Sequence, residues 1–167
     1  MERLFAPWRM DYILKKKKTE HCIFCPQTNR SDSSRFIIHR SPHSIVMLNR
    51  YPYSYGHLMI APVRHIQEVW KLKPEEMMDI MSNVGRCLQI LKKAFRPKGF
   101  NVGMNLGKVA GAGILHHLHF HIIPRWKGDV NFMPILSEVC VIPEHLEKTY
   151  NRLLPYFSQG KKGEKDR

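Results

Sequence analysis

The sequence predicts an α+β fold, in which an antiparallel sheet of about five strands carries one long helix and a short C-terminal helix follows. Three observations predict it: short apolar runs separated by turn residues, one long segment with apolar residues at helical spacing, and histidines at every second position of a further apolar run. At 167 residues, one domain is expected over residues 1–157, followed by a basic, disordered tail at 158–167.

The first three strands are predicted between residues 36 and 62. Apolar runs at 36–38 and 45–48 flank turn-forming residues at 41–44, which is the pattern of a strand, a turn and a second strand. Residues 56–62 form a further strand that stops at Pro62. Together these segments suggest an antiparallel sheet.

The long helix is predicted from Pro74, because the apolar residues that follow lie three or four positions apart. They are Met77, Ile80, Met81, Val84, Cys87, Leu88, Leu91 and Phe95. Proline suits the first turn of a helix, Glu75 and Glu76 complement the helix dipole, and Pro97 and Gly99 mark the end. We expect the methionines to pack in the core, without a cofactor role.

Apolar residues alternate with polar or small ones from Phe100 to Leu106, as in a half-buried strand. The glycine-rich loop that follows, residues 107–113, leads into the histidines and could bring backbone amides close to a bound anion. Such a loop alone is a weak phosphate signal. A last helix is predicted within residues 144–157, ended by Pro155.

The most informative segment is the histidine run. His117, His119 and His121 alternate with apolar residues, so in a strand the three imidazoles would line one face. A single histidine in a strand is most often a surface or structural group, whereas three on one face place several groups that titrate near neutrality within reach of one ligand. The pattern favours a functional site. Spacing alone leaves metal binding and nucleophilic catalysis open.

The chain carries 27 Lys and Arg against 14 Asp and Glu, a net charge of +13. About half of this excess lies in residues 15–18 and 161–167, where charge runs usually need no partner. The remainder favours an anionic ligand as small as a nucleotide, and nucleic acid is not the expected partner. No apolar run is long enough to cross a bilayer and no signal-type segment is found, so a cytoplasmic location without a membrane partner is expected.

Cys22 and Cys25 form a Cys-x-x-Cys pair, which in a reducing compartment indicates a metal site or a redox pair. We favour structural zinc, because the pair does not lie between a strand and a helix as in thioredoxin-like proteins. Two more ligands are then needed, and local sequence does not choose among the available histidines. The candidates are His21, His39, His43, His57, His65, His116 and His117.

Residues 117–123 match the motif His-x-His-x-His followed by two apolar residues, and the chain resembles the histidine-triad (HIT) superfamily. Supporting matches are spread over residues 5–135. They are Asn49 to Tyr53, Gly56-His57, Pro62 with His65, Asn105 with Gly107, Ala110-Gly111, and Pro124 to Trp126. Residues 6–12, the Cys-x-x-Cys pair and Gly111 to Gly113 are similar to the Fhit-like branch of diadenosine-polyphosphate hydrolases and phosphorylases (ATP adenylyltransferase-like), rather than to the small Hint-like phosphoramidases.

The resemblance implies a HIT-like fold and an enzyme that forms a covalent nucleotide on His119. His121 would donate to a phosphate oxygen, and Asn105 with the amides near Gly111 and Gly113 would contact phosphate. Asn49 would lie near the ribose or base, whereas His57 has an equally good interpretation as a group behind the contacting residues. Gly113 stands where a polar side chain is common in the Fhit pattern, which puts the preferred leaving group in doubt.

Resemblance to the galactose-1-phosphate uridylyltransferase relatives implies the metal ligands Cys22, Cys25, His65 and His117. Such a zinc site would tie the N-terminal segment to the histidine strand and remove His117 from acid-base chemistry. The family also implies a homodimer, with the long helix and neighbouring strands at a shared sheet.

The function expected from this resemblance is cleavage of dinucleoside polyphosphates, with water or inorganic phosphate as the acceptor. Two alternatives compete with it. One is a non-catalytic module that binds purine nucleotides, which the presence of all three histidines argues against. The other is an aprataxin-like enzyme that removes adenylate from nucleic-acid ends, which the basic charge favours and the missing second metal module argues against.

Overall fold

The structure is a computed structural model that describes residues 22–26, 30–129 and 144–158. Within these ranges the chain forms five strands and two α-helices. The strands are β1 (Ile37–Arg40), β2 (Ser44–Leu48), β3 (Leu58–Pro62), β4 (Gly99–Gly103) and β5 (Phe120–Arg125), and the helices are α1 (Pro74–Phe95) and α2 (Leu146–Ser158). All neighbouring strands pair antiparallel in the order β1-β2-β3-β5-β4. The α+β class predicted from the sequence is confirmed.

The two central strands β2 and β3 are buried at every residue, because both faces of the sheet are covered. One face packs against α1 and α2 and contributes alternate residues such as Val46, Leu58 and Ile60 to the main core. The other face contributes Ile45 and Met59, among others, to a smaller core that is closed by residues of the 22–26 segment. The histidines lie on this second face, since His121 is paired with Met59 across β5 and β3.

Helix α1 begins as the sequence predicted. Pro74 occupies its first turn, and the Glu76 carboxylate accepts the backbone N–H of Lys73 at 2.9 Å, which caps an otherwise unpaired amide. The helix ends at Phe95, where Arg96 adopts a left-handed conformation (φ 51°) before Pro97. The prediction that its methionines pack in the core is wrong. Met77, Met78 and Met81 are 46%, 69% and 52% exposed, because the buried face of α1 runs through Ile80 and Val84 instead.

Two strand predictions need correction. The histidine strand begins only at Phe120, because the Leu118 amide donates to Ile66 O (2.7 Å), outside the sheet. Strand β4 ends at Gly103 rather than near Leu106; it lies at an edge of the sheet, and Leu106 is 44% exposed.

Helix α2 continues through Pro155 to Ser158 instead of ending at the proline, whose exposed position accommodates the missing N–H donor. Ser158 therefore belongs to the helix. The rest of the predicted tail, residues 159–167, lies outside the described residues, as do the 6–12 motif and His21, so the domain limits stay predictions. Among the described helices, none is long and apolar enough to cross a membrane.

Candidate active site and metal-ligand cluster

The three histidines of the motif lie buried on the sheet face away from the helices. His117, His119 and His121 are 1%, 5% and 9% exposed. The rings of His119 and His121 meet edge-on with their centroids 4.9 Å apart, so the two groups can act on one bound molecule. The arrangement gives each ring different partners, and the partners determine what each ring can do.

The backbone of a neighbouring residue fixes the tautomer of His119. Its Nδ1 lies 2.9 Å from the carbonyl oxygen of His117, and a carbonyl can only accept, so Nδ1 carries the proton. The Nε2 lone pair is then free to attack. Burial lowers the pKa of His119, although this hydrogen bond opposes the shift, so the ring is neutral at pH 7.

A row of two hydrogen bonds, from Tyr53 through His57, determines which ring nitrogen of His121 carries the proton. The backbone N–H of Tyr53 donates to Nδ1 of His57 at 3.0 Å, so the proton of the neutral His57 ring is on Nε2. That Nε2–H donates to Nδ1 of His121 at 2.9 Å. His121 is left with its own proton on Nε2, where it can be donated to a phosphate oxygen.

Burial keeps the rings of His57 and His121 uncharged. His57 is fully buried, and burial together with the neighbouring His121 and His119 lowers its pKa to about 3. Burial and His119 lower the pKa of His121 to about 4. Both rings are therefore neutral at pH 7, and the hydrogen-bond directions stay as the Tyr53 amide imposes them. The sequence left His57 with two interpretations; the structure places it behind His121, in direct hydrogen-bond contact.

The side chains predicted as metal ligands converge on one point. One ligand atom from each of Cys22, Cys25, His65 and His117 lies within 4.8 Å of the other three, and no other such group occurs among the described residues. Nδ1 of His117 is 3.2 Å from Sγ of Cys22, and Nδ1 of His65 is 3.1 Å from Sγ of Cys25. Ligand atoms around one tetrahedral zinc ion are about 3.3 to 3.8 Å apart, so the cluster needs only small adjustments.

Two features of the cluster fit a metal ion. Nε2 of His117 donates to the carbonyl of Pro62 at 2.8 Å, which points the Nδ1 lone pair at the cysteines. Without a cation, burial and the adjacent Cys22 raise the pKa of Cys25 to about 11, so the Cys25 thiol would stay protonated at pH 7. A bound cation would favour the thiolates, and two thiolates with two imidazoles are a donor set that zinc prefers.

Distant parts of the chain hold these ligands in place. The guanidinium of Arg35, which is 7% exposed, donates to the carbonyls of Ile23 and Cys25 at 2.7 and 2.8 Å and so fixes the Cys-x-x-Cys turn. Between the cysteines, Phe24 is buried against both His117 and His119, with centroids 5.1 and 5.0 Å away. Sequence reasoning missed Phe24. Its only signal in the sequence was the presence of an apolar residue between the two cysteines predicted to bind metal.

The residues predicted to contact the nucleotide lie in two different parts of the site. Asn49 lies beside His57, with its Nδ2 3.3 Å from Nδ1 of that ring. Asn105 donates to the carbonyl of Gly111 at 3.4 Å, and Gly111 adopts a positive φ of 83° that favours glycine. Gly113 is exposed in the same loop.

A cavity of about 320 Å³ borders this loop. Asn105, Gly107, His117 and Trp70 are among the residues that line it. The cavity lies beside Asn105 and the start of the glycine-rich loop, where an anionic ligand could contact both, and of the three motif histidines it is His117 that lines it.

The chain is similar to several known proteins. The HIT domain model matches residues 30–128. The AP-4-A phosphorylase of Mycobacterium tuberculosis is 36% identical over 162 residues, which cover 92% of this chain and 83% of the relative. The asymmetrical bis(5'-nucleosyl)-tetraphosphatase of Schizosaccharomyces pombe is 30% identical over 124 residues, covering 74% and 64%.

Among solved structures, the zinc-bound histidine triad family protein of Mycobacterium smegmatis has the same fold. The TM-score is 0.61 at 20% identity, and the match covers 75% of this chain and 86% of that one.

Proposed function

The chain belongs to the HIT domain family, and from this membership and the site geometry we propose that it cleaves dinucleoside polyphosphates of the diadenosine tetraphosphate kind. The observation that carries the proposal is the fixed proton on Nδ1 of His119, which leaves the Nε2 lone pair unused in a buried, neutral ring. The names of the relatives supply the substrate class.

In the first step, Nε2 of His119 attacks the α-phosphorus of one adenylate unit. The nitrogen–phosphorus bond forms as the bridging phosphorus–oxygen bond breaks, and ATP leaves with the electron pair of that bond. His121 donates its Nε2–H to a non-bridging oxygen, where negative charge must be stabilised during transfer. The product of this step is an adenylyl group on His119.

In the second step an acceptor attacks the same phosphorus and frees His119. Water as the acceptor gives AMP, and inorganic phosphate gives ADP. We propose phosphate, because the M. tuberculosis relative, which shares 36% of its residues over nearly the whole chain, carries the name phosphorylase. Hydrolysis is the competing outcome, as the name of the S. pombe relative indicates.

Four further residues are proposed to hold the nucleotide. Asn105 and the backbone amides near Gly111 and Gly113 would bind phosphate oxygens, since Asn105 and Gly107 line the cavity and Asn105 is hydrogen-bonded to Gly111. Asn49 would contact the ribose or base, from its position beside His57.

We also propose that Cys22, Cys25, His65 and His117 hold a structural zinc ion. When bound, zinc would stabilise the two thiolates and join the 22–26 segment to the histidine run. His117 links this cluster to the nucleophile, because its side chain faces the cysteines while its carbonyl accepts from His119. Metal analysis of the purified protein should give about one zinc per chain, and a protein without metal would contradict the assignment.

The reaction is tested by incubating the protein with diadenosine tetraphosphate, with and without inorganic phosphate, and identifying the nucleotides released. We expect ADP and ATP only when phosphate is present; AMP and ATP in both conditions would show hydrolysis instead. His119→Ala should abolish turnover and still bind nucleotide. The matched control is His116→Ala, at an exposed neighbouring histidine, which should keep the wild-type rate. If neither condition consumes the dinucleotide, the substrate proposal fails.

A homodimer is proposed from exposed apolar side chains on and just before α1 and from the position of β4 at an edge of the described sheet. Met78 in α1 and Trp70, which precedes it, are 69% and 74% exposed, and Val102 on the edge strand is 44% exposed, so a partner that covers them would remove apolar surface from water. Light scattering should give about twice the chain mass, and Met81→Lys should reduce it to one chain mass. A cytoplasmic location stays a prediction.

A further inference from the structure

We propose that Phe24 stabilises the positive charge that His119 acquires when it carries the nucleotide. The inference rests on the proposed function, and it assigns a role in the reaction to a side chain that cannot itself exchange protons. Phe24 is 1% exposed, and its ring centroid lies 5.0 Å from that of His119, with the two planes inclined at 33°.

The charge arises from the tautomer of His119. Because Nδ1 keeps its proton in the hydrogen bond to the carbonyl of His117, bond formation at Nε2 leaves the ring with one positive charge shared over both nitrogens. This charge is absent in the resting enzyme, develops during attack and disappears when the acceptor frees the histidine. A group that attracts it therefore stabilises the transition states on both sides of the intermediate more than the resting state.

An aromatic ring attracts a cation placed within about 6 Å of its face, because the face of the ring carries partial negative charge. His119 lies within this distance, with its ring plane inclined at 33° to that of Phe24. The attraction is larger when water is excluded, and His119 is only 5% exposed. His117 also lies near the ring, 5.1 Å away at 57°, but its Nε2–H remains bonded to Pro62 and its ring gains no covalent bond in either step.

The position of Phe24 is fixed before the substrate arrives. Its backbone neighbours Ile23 and Cys25 are held by the guanidinium of Arg35, at 2.7 and 2.8 Å. Its side chain belongs to the smaller core, together with Ile45 and Met59. The ring therefore needs no rearrangement to meet the charge on His119, which is the condition under which electrostatic stabilisation is most effective.

The experiment varies the charge on the ring face without changing its shape. Phe24 is replaced, in the full-length metal-loaded protein, by phenylalanines carrying one, two and three ring fluorines, which progressively remove the negative charge of the face. The rate of adenylyl transfer to His119 is measured in a single turnover by acid quenching and counting of protein-bound nucleotide. Metal content and melting temperature are measured for each variant, because a purely structural role would change these and not follow the fluorine count.

We expect the logarithm of the transfer rate to fall linearly with fluorine number, by about 2- to 30-fold over the series. Fluorination of Phe120 is the matched control, because its side chain packs towards the helices on the other face of the sheet, and it should leave the rate unchanged. A transfer rate independent of fluorination at Phe24, or one that falls equally at Phe120, would overturn the inference. If the wild-type protein never carries the nucleotide, the proposed function itself fails.

Discussion

Replacing His57 by phenylalanine is expected to slow nucleotide transfer. Without His57, the proton of His121 is no longer restricted to Nε2. His57 is fully buried and donates its Nε2–H to Nδ1 of His121 at 2.9 Å, while it accepts the amide of Tyr53 at 3.0 Å. Phenylalanine fills most of the same volume and removes both ring nitrogens. His121 is then no longer held with its proton on Nε2.

The magnitude follows from these two hydrogen bonds. Leaving Nδ1 of the buried His121 without a partner costs about 1 to 3 kcal/mol, whereas Tyr53 is 57% exposed and its amide can pair with water, so the free energy of unfolding should fall by about 1 to 3 kcal/mol. A hydrogen bond of about 1 to 1.5 kcal/mol sets the tautomer of His121, and its loss should reduce the transfer rate by about 5- to 10-fold.

The assay is single-turnover transfer of adenylate to His119, combined with nitrogen NMR of labelled histidine to read which ring nitrogen of His121 carries the proton. His39→Phe is the matched control. It removes a hydrogen bond between His39 and Arg86 at 3.0 Å on another strand, so it should lower stability and leave the transfer rate unchanged. A His57→Phe protein that transfers at the wild-type rate, with His121 still protonated on Nε2, would refute the reasoning.

Three further predictions concern stability. Cys25→Ser should lose bound metal and lower the melting temperature, measured by elemental analysis and calorimetry; full metal content would exclude Cys25 as a ligand. Glu76→Gln should destabilise the protein at pH 7, because the hydrogen bonds from Arg64 stabilise the Glu76 carboxylate and lower its pKa from 4.5 to about 2. The contribution of the carboxylate to the free energy of unfolding is complete above about pH 4.5 and is lost as the pH falls towards 2. The melting temperatures of variant and wild type should therefore converge in acid, and a constant difference would contradict this. Gly56→Ala should lower the free energy of unfolding, measured with denaturant, by about 1 to 3 kcal/mol, since Gly56 has φ +72° and an added Cβ would lie 2.9 Å from the Phe95 ring. An unchanged unfolding midpoint would show that the backbone at residue 56 and the Phe95 side chain adjust without cost.

The secondary structure was predictable where one periodicity decides it. The spacing of residues 77–95 predicted α1, and the alternation around His119 identified the functional segment, because both are local properties of the chain. The exposure of Met77 and Met81 was not predictable in the same way. Apolar spacing shows which side chains share a helix face, but the width of the face that the sheet covers depends on packing with sequence-distant strands.

The site was predictable in its residue types and not in its connections. The Cys-x-x-Cys spacing indicated a metal, yet only resemblance selected His65 and His117 from seven candidate histidines. In the structure these ligands converge from segments that are 40 and 92 positions from Cys25. No local sequence pattern predicts that side chains so far apart in the chain lie close together in space. The same holds for His57, which reaches His121 over 64 positions.

The line from the Tyr53 amide through His57 to His121 also has a consequence for proton movement. A backbone amide cannot give up its proton and accept another from the opposite side, so the line has a closed end. It cannot serve as a proton wire between solvent and substrate. It acts instead as a row of aligned dipoles whose positive end is the Nε2–H of His121, the group proposed to donate to phosphate, and reversing that row would require breaking the fold of the loop that carries Tyr53.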